Sequence, residues 1–185
     1  MQAGIQNSAL SRYSSGAIVL HWAIAALIVG NIVLAEMAED LARAAKPLYM
    51  DPHKAIGIMV LVLTLVRIGW RLKFAAPPLV DGLRNWERFM ARAIHGLFYV
   101  LMVALPLSGW LMVSAPAEPK VIDFFGLFDI SPLPVAGNKI IGGAAHEGHE
   151  VMGKVMIVLI ALHVLGALKH QFLDRVPSLR RMWFS

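Results

Sequence analysis

The chain has no cysteine, which removes disulfide frameworks, thiolate zinc centres and the C-x-x-C-H attachment of a covalently bound haem. It is also short of charge. Asp, Glu, Lys and Arg make up 16% of the 185 residues, against 58% hydrophobic, and the mean hydropathy is +0.64. A soluble domain carries roughly a quarter charged residues and nearer half apolar ones, so this chain has more apolar surface than a core of its own can hide. There is no internal repeat and no separate soluble domain.

What is present is four long apolar runs, at about 17–36, 54–72, 92–113 and 149–169. Each is long enough to cross a hydrocarbon layer about 30 Å thick, and lipid offers the backbone no hydrogen-bond partner, so all four are read as α-helices. The expected fold is all-α and integral to the membrane, an antiparallel four-transmembrane-helix bundle. Residues 1–185 form one domain, with 114–148 as an outer loop. The alternative for the first run is a cleaved leader; its length, and Arg12 as its only upstream charge, favour a retained helix.

Orientation follows from the basic residues, because Lys and Arg in short loops stay on the cytoplasmic side. The N-terminus, the second connection and the C-terminus carry eleven of them, and the other side six. Both termini are therefore expected in the cytoplasm and the chain in the inner membrane. The net charge of +5 then reflects topology and contact with anionic membrane lipid, with no nucleic-acid partner expected.

The histidines carry the chemistry. His149 and His163 lie fourteen residues apart on one span, a rise of about 21 Å with the two side chains about 40° out of phase. One helix thus presents two ligands from one face at two depths. His21 lies near the inner start of the first span and His53 at the outer start of the second. The alternating topology therefore pairs His53 with His149 and His21 with His163, which supplies two imidazoles from different helices at each level, as six-coordinate haem iron needs. Histidines spread over two levels cannot converge on one zinc ion. With no thioether bonds available, the expected cofactors are two b-type haems (iron). Each histidine alone has a plainer reading as an interfacial polar residue, most of all His53 at its helix start; the joint pattern argues against it.

These residues sit in a recognisable series: His21-Trp22; His53-Lys54-Ala55-Ile56-Gly57 leading to Arg67-Ile68-Gly69-Trp70-Arg71 and Pro77-Pro78; His95-Gly96; Ala104-Leu105-Pro106-Leu107-Ser108-Gly109; Phe124-Phe125-Gly126; His149-Glu150; and His163 followed by Lys169-His170. Over nearly the whole chain it resembles the bacterial cytochrome b561 family of di-haem membrane cytochromes. The resemblance implies haem ligation by His21, His53, His149 and His163, and electron transfer through the cytoplasmic membrane in exchange with a quinone pool. Two other readings stay open, a cytochrome b anchor that docks a partner such as a hydrogenase or dehydrogenase, and a superoxide-to-quinone oxidoreductase. A haem-storage role is a further alternative.

His170 falls about 10 Å beyond His163 on nearly the same face, and His95 stands at the inner start of the third span. Either can hydrogen-bond a quinone carbonyl or pass a proton, or simply be interfacial. Arg67 and Arg71, one turn apart, suit haem propionates or serve as positive-inside anchors. Pro106 is expected to kink its helix, with Ser108 satisfying the freed carbonyl. His146 is a weaker ligand candidate, because only His149 keeps the fourteen-residue spacing. The outer loop is read as an interfacial cap over the outer haem, its phenylalanines in the headgroup layer. Lys120, Lys139 and Lys154 could draw a periplasmic redox partner or small anionic donor to its mouth, unless Asp123, Asp129, Glu147 and Glu150 cancel the field.

Overall fold

A computed structural model of the protein describes residues 12–78, 82–177 and 179–183. Four helices dominate it: α1 Ser15–Glu39, α2 Pro47–Lys73, α3 Asn85–Ser114 and α4 Lys139–Leu168. A π-helical turn, Lys169–Leu173, continues α4, and a short 3-10 segment follows at Leu179–Met182. All four helices have the length and hydropathy to cross a membrane. Side chains such as Val33, Val62, Val100 and Val158 stay exposed on their outer faces, which a bundle in lipid can leave unburied.

The helix starts follow local rules. Pro47 opens α2, where its missing N–H costs nothing. Glu87, in the first turn of α3, accepts the Arg84 backbone N–H through Oε2 at 2.9 Å. Asn138 caps α4, its Oδ1 accepting the Ile141 N–H at 3.0 Å. That cap starts α4 ten residues ahead of the apolar run at 149, because a helix outlasts the part of it that is apolar. The connection is accordingly 115–138 rather than 114–148, and His146, expected in the loop, stands on α4.

Within that connection, β1 (Ile122–Asp123) and β2 (Asp129–Ile130) form an antiparallel hairpin. Its turn places Phe125 and Gly126 at φ 55° and 74°, and the Gly126 N–H donates to Asp123 Oδ1 at 2.8 Å. Ser114 Oγ accepts the Leu133 N–H and Trp110 Nε1 donates to the Ser131 carbonyl, tying the loop onto the end of α3. The loop is thus a structured cap, with Phe124 stacked on Phe128.

Helix α1 packs along α2, α3 along α4, and α2 also along α3, whereas α4 makes no comparably close backbone approach to α1 or α2 among the described residues. Ile24, Val60, Leu101, Met102, Met156 and Leu159 form the buried centre. Met156 is midway between His149 and His163 in the chain, so this apolar layer separates two polar levels. At the end where the start of α1 meets the 3-10 segment, the Trp22 indole donates to the Met182 carbonyl at 2.7 Å. There too the buried Arg181 donates to the Pro78 carbonyl at 2.8 Å. This is the terminal end; the hairpin marks the loop end.

Candidate functional site

Antiparallel helices place His21, seven residues into α1, at the terminal end, and His53, seven residues into α2, at the loop end. Helix α4 runs between the two levels. The His21 and His163 rings lie with centroids 6.3 Å apart, and those of His53 and His149 6.2 Å apart. These two ring pairs bridge the space where α4 stands off from α1 and α2.

Ring spacing tests whether a haem iron fits. With a metal–nitrogen bond of about 2.0–2.1 Å and about 1.1 Å from nitrogen to ring centre, an iron held between the two rings of a pair would set their centroids about 6.3 Å apart. Both observed pairs match that figure. At the loop end the supporting hydrogen bonds match as well. His53 Nδ1 lies 3.1 Å from the Asn31 carbonyl oxygen, and His149 Nδ1 lies 3.0 Å from that of Leu105. A carbonyl accepts only, so each ring donates from Nδ1 and keeps the Nε2 lone pair for a metal. Ser108 Oγ, 2.9 Å from His149 Nδ1, itself donates to the Leu105 carbonyl at 2.8 Å. It therefore does not satisfy the carbonyl freed by Pro106, which belongs to Met102 one turn back; its hydroxyl serves the acceptor that positions His149. Gly109 lets the ring lie against α3, since a Cβ there would stand 3.3 Å from His149 Cε1.

The terminal-end pair has a different setting. Arg67 Nη2 lies 3.2 Å from His21 Nδ1, and a guanidinium can only donate, so this nitrogen accepts. An imidazole that binds metal through Nε2 instead carries its proton on Nδ1. Metal on His21 and the Arg67 bond are therefore exclusive, and ligation would turn the guanidinium toward an anion. Arg67 and Arg71 line one cleft with Tyr13, Ser14, Trp70 and Tyr99, a donor-rich wall suited to a carboxylate. His95 packs edge-on against His163, centroids 5.2 Å apart, with Nδ1 on the Ala91 carbonyl.

His170 is joined instead to Asp174, Nδ1 to Oδ2 at 2.7 Å. The same oxygen takes Lys169 Nζ at 2.6 Å, and Lys169 also reaches Glu87 Oε1 at 2.8 Å. Lys169 first, then His170, holds the Asp174 carboxyl below the usual carboxylate range. At the loop end Lys154 is paired with Glu150 at 2.6 Å, which leaves Lys120 and Lys139 as the cations of the expected positive mouth.

Asn31, Glu87 and Asp174 were not singled out by sequence reasoning. Asn31 carried a signal, as a polar residue inside an apolar run, and so did Asp174, four residues after His170 as in a helical ion pair; the reach of Glu87 to Lys169 on another helix carried none.

The sequence profile described as prokaryotic cytochrome b561 matches residues 12–185. Cytochrome b561 homolog 2 of Escherichia coli K12 is 30% identical, over 92% of this chain and 90% of its own length. The probable superoxide oxidase CybB of Yersinia pestis is 27% identical over 92% of this chain and 95% of its own. Cytochrome b562 of Cereibacter sphaeroides is 29% identical over 92% and 94%.

Proposed function

The chain belongs to the prokaryotic cytochrome b561 family, and we propose that it carries electrons between two b-type haems stacked through the cytoplasmic membrane, in exchange with quinone. Family membership makes it a multi-pass bacterial membrane cytochrome of electron transfer that binds b-type haem. The number of haems, their ligands and the quinone are the proposal.

The observation that carries it is two imidazole pairs at haem-iron spacing, each with one ring on α4, where His149 and His163 stand 14 residues apart. His53 and His149 hold the loop-end haem, and His21 and His163 the terminal-end one. Bound there, haem supplies a reversible one-electron iron couple. The chain's own residues set the rest. Asn31 and Leu105 carbonyls orient the loop-end rings, Arg67 and Arg71 hold propionate oxygens in their cleft, and the middle apolar layer keeps water from between the levels. His95 and His170 serve a quinone at the terminal end, which the excess of basic residues assigns to the cytoplasm.

A second reading takes superoxide as donor at the loop end. It is favoured by the similarity to a probable superoxide oxidase, and Lys120 and Lys139 would attract the anion. An anchor role predicts instead a stoichiometric catalytic subunit on purification. The test is electron transfer across vesicles holding the purified protein, with a quinol outside and ferricyanide trapped inside. Wild type should reduce the trapped acceptor, and His53→Ala or His163→Ala should not; vesicles in which wild type is inert would sink the reading.

A further inference from the structure

We infer that Asp174 is the positioning residue that sets His170 as the proton-exchanging group of the quinone site, with Lys169 and Glu87 holding the carboxylate in place. The inference rests on the quinone reading above.

Helix α4 changes pitch at this point. In the π turn Lys169–Leu173, Lys169, five residues before Asp174, comes into register with it, while His170 keeps the ordinary four-residue spacing, and both reach one and the same oxygen of Asp174, at 2.6 and 2.7 Å. The Asp174 N–H to the Lys169 carbonyl and the Val176 N–H to the His170 carbonyl, at 3.1 and 2.8 Å, pin the turn. Such turns are frequent at functional sites. Tying α3 to α4 needs only the Lys169–Glu87 pair, in which Glu87 is buried with both oxygens engaged. That pair gives no reason for a carboxylate on the neighbouring imidazole. The charged groups gathered there are Glu87, Lys169, His170 and Asp174, and the Lys169 ammonium already stands between the two carboxylates.

A carboxylate that accepts from Nδ1–H fixes the tautomer and makes Nε2 the exchanging atom. The His170 side chain is 20% exposed, so solvent can recharge it, and it sits about 10 Å along the helix axis from His163. Quinone reduction consumes two electrons, supplied by reduced b-type haem, and two protons. For each proton, the His170 Nε2–H bond breaks as an O–H bond forms on the quinone oxygen. The ring is left neutral with its Nδ1–H on Asp174, and water returns a proton to Nε2. Quinol oxidation runs the same steps backwards.

The test is stopped-flow reoxidation of the dithionite-reduced, haem-loaded protein by a short-chain quinone and, separately, by ferricyanide, which takes electrons without protons. Asp174→Asn should slow the quinone reaction roughly tenfold to a hundredfold and raise its solvent isotope effect, with haem content and the ferricyanide rate unchanged. Asp174→Glu should recover most of the rate, and His170→Ala should be partly rescued by added imidazole. Without turnover, the hydrogen-bonded Nδ1–H proton resonance of His170 in the reduced protein should vanish in Asp174→Asn. Unchanged quinone kinetics in Asp174→Asn, or equal slowing with ferricyanide, would overturn the inference. If wild type itself fails to react with quinone, the quinone reading falls first and this inference with it.

Discussion

Gly109 gives the account its most graded test. A Cβ at this position stands 3.3 Å from His149 Cε1 and 3.7 Å from Nδ1, so Gly109→Ala asks the ring to give by a few tenths of an ångström. The ring is held by contacts of 2.9 and 3.0 Å from Nδ1 to Ser108 and Leu105, and disturbing such supporting bonds typically costs ten- to hundredfold in metal affinity. We expect about tenfold weaker haem binding at the loop end, about 1.4 kcal/mol. Gly109→Val adds two methyls about 1.5 Å beyond Cβ, inside the space the ring occupies, and should empty that site. Helix propensity pulls the other way, since alanine replaces glycine in a helix interior with a gain near 1 kcal/mol. Loss of haem without loss of helix would therefore belong to the site. The assay is haem per protein with the reduced spectrum, after purification and after haem titration. A Gly109→Val protein with a full haem complement and wild-type spectrum would refute the reasoning.

Other expectations follow from the ends of the bundle. Asp174 is held ionised in the folded protein. Its contribution is thus complete above the ordinary carboxylate value and lost as pH falls through the depressed one. Hydrogen exchange at Lys169–Asp174 should accelerate in that acid window, and Asp174→Asn should exchange fast at every pH. Arg181→Ala removes a buried side chain that donates to the Pro78 carbonyl and lies over the Tyr13 ring, and the melting temperature in detergent should fall by several degrees. A fluorescent protein fused after Ser185 should fold and fluoresce while an alkaline phosphatase fusion there stays inactive; the reverse would invert the topology.

Much of this arrangement is readable in the residues, for definite reasons. A fourteen-residue spacing is nearly a whole number of helical turns, so two histidines on one face needed no structure to be seen. Alternation of spans then decides which ends meet, and His21 beside His163 and His53 beside His149 follow from that alone. The helix 4 start was not readable, because apolarity reports the membrane and not the helix, which begins at an Asn138 cap in a polar stretch. Nor was the bond between Arg67 and His21, set by side chains forty-six positions apart. The bridge that Lys169 makes to both Glu87 and Asp174 was hidden too, because Glu87 comes from another helix and Lys169 reaches Asp174 only where the helix widens to a π turn.

The central claim is that four histidines hold two haems. The most direct measurement is the haem-to-protein ratio, with the reduced spectrum, of the purified wild type and of His163→Ala. The account predicts two low-spin b-type haems per chain in the wild type and one, or none, in the variant. An unchanged ratio on losing His163, or a single haem in the wild type, would contradict it.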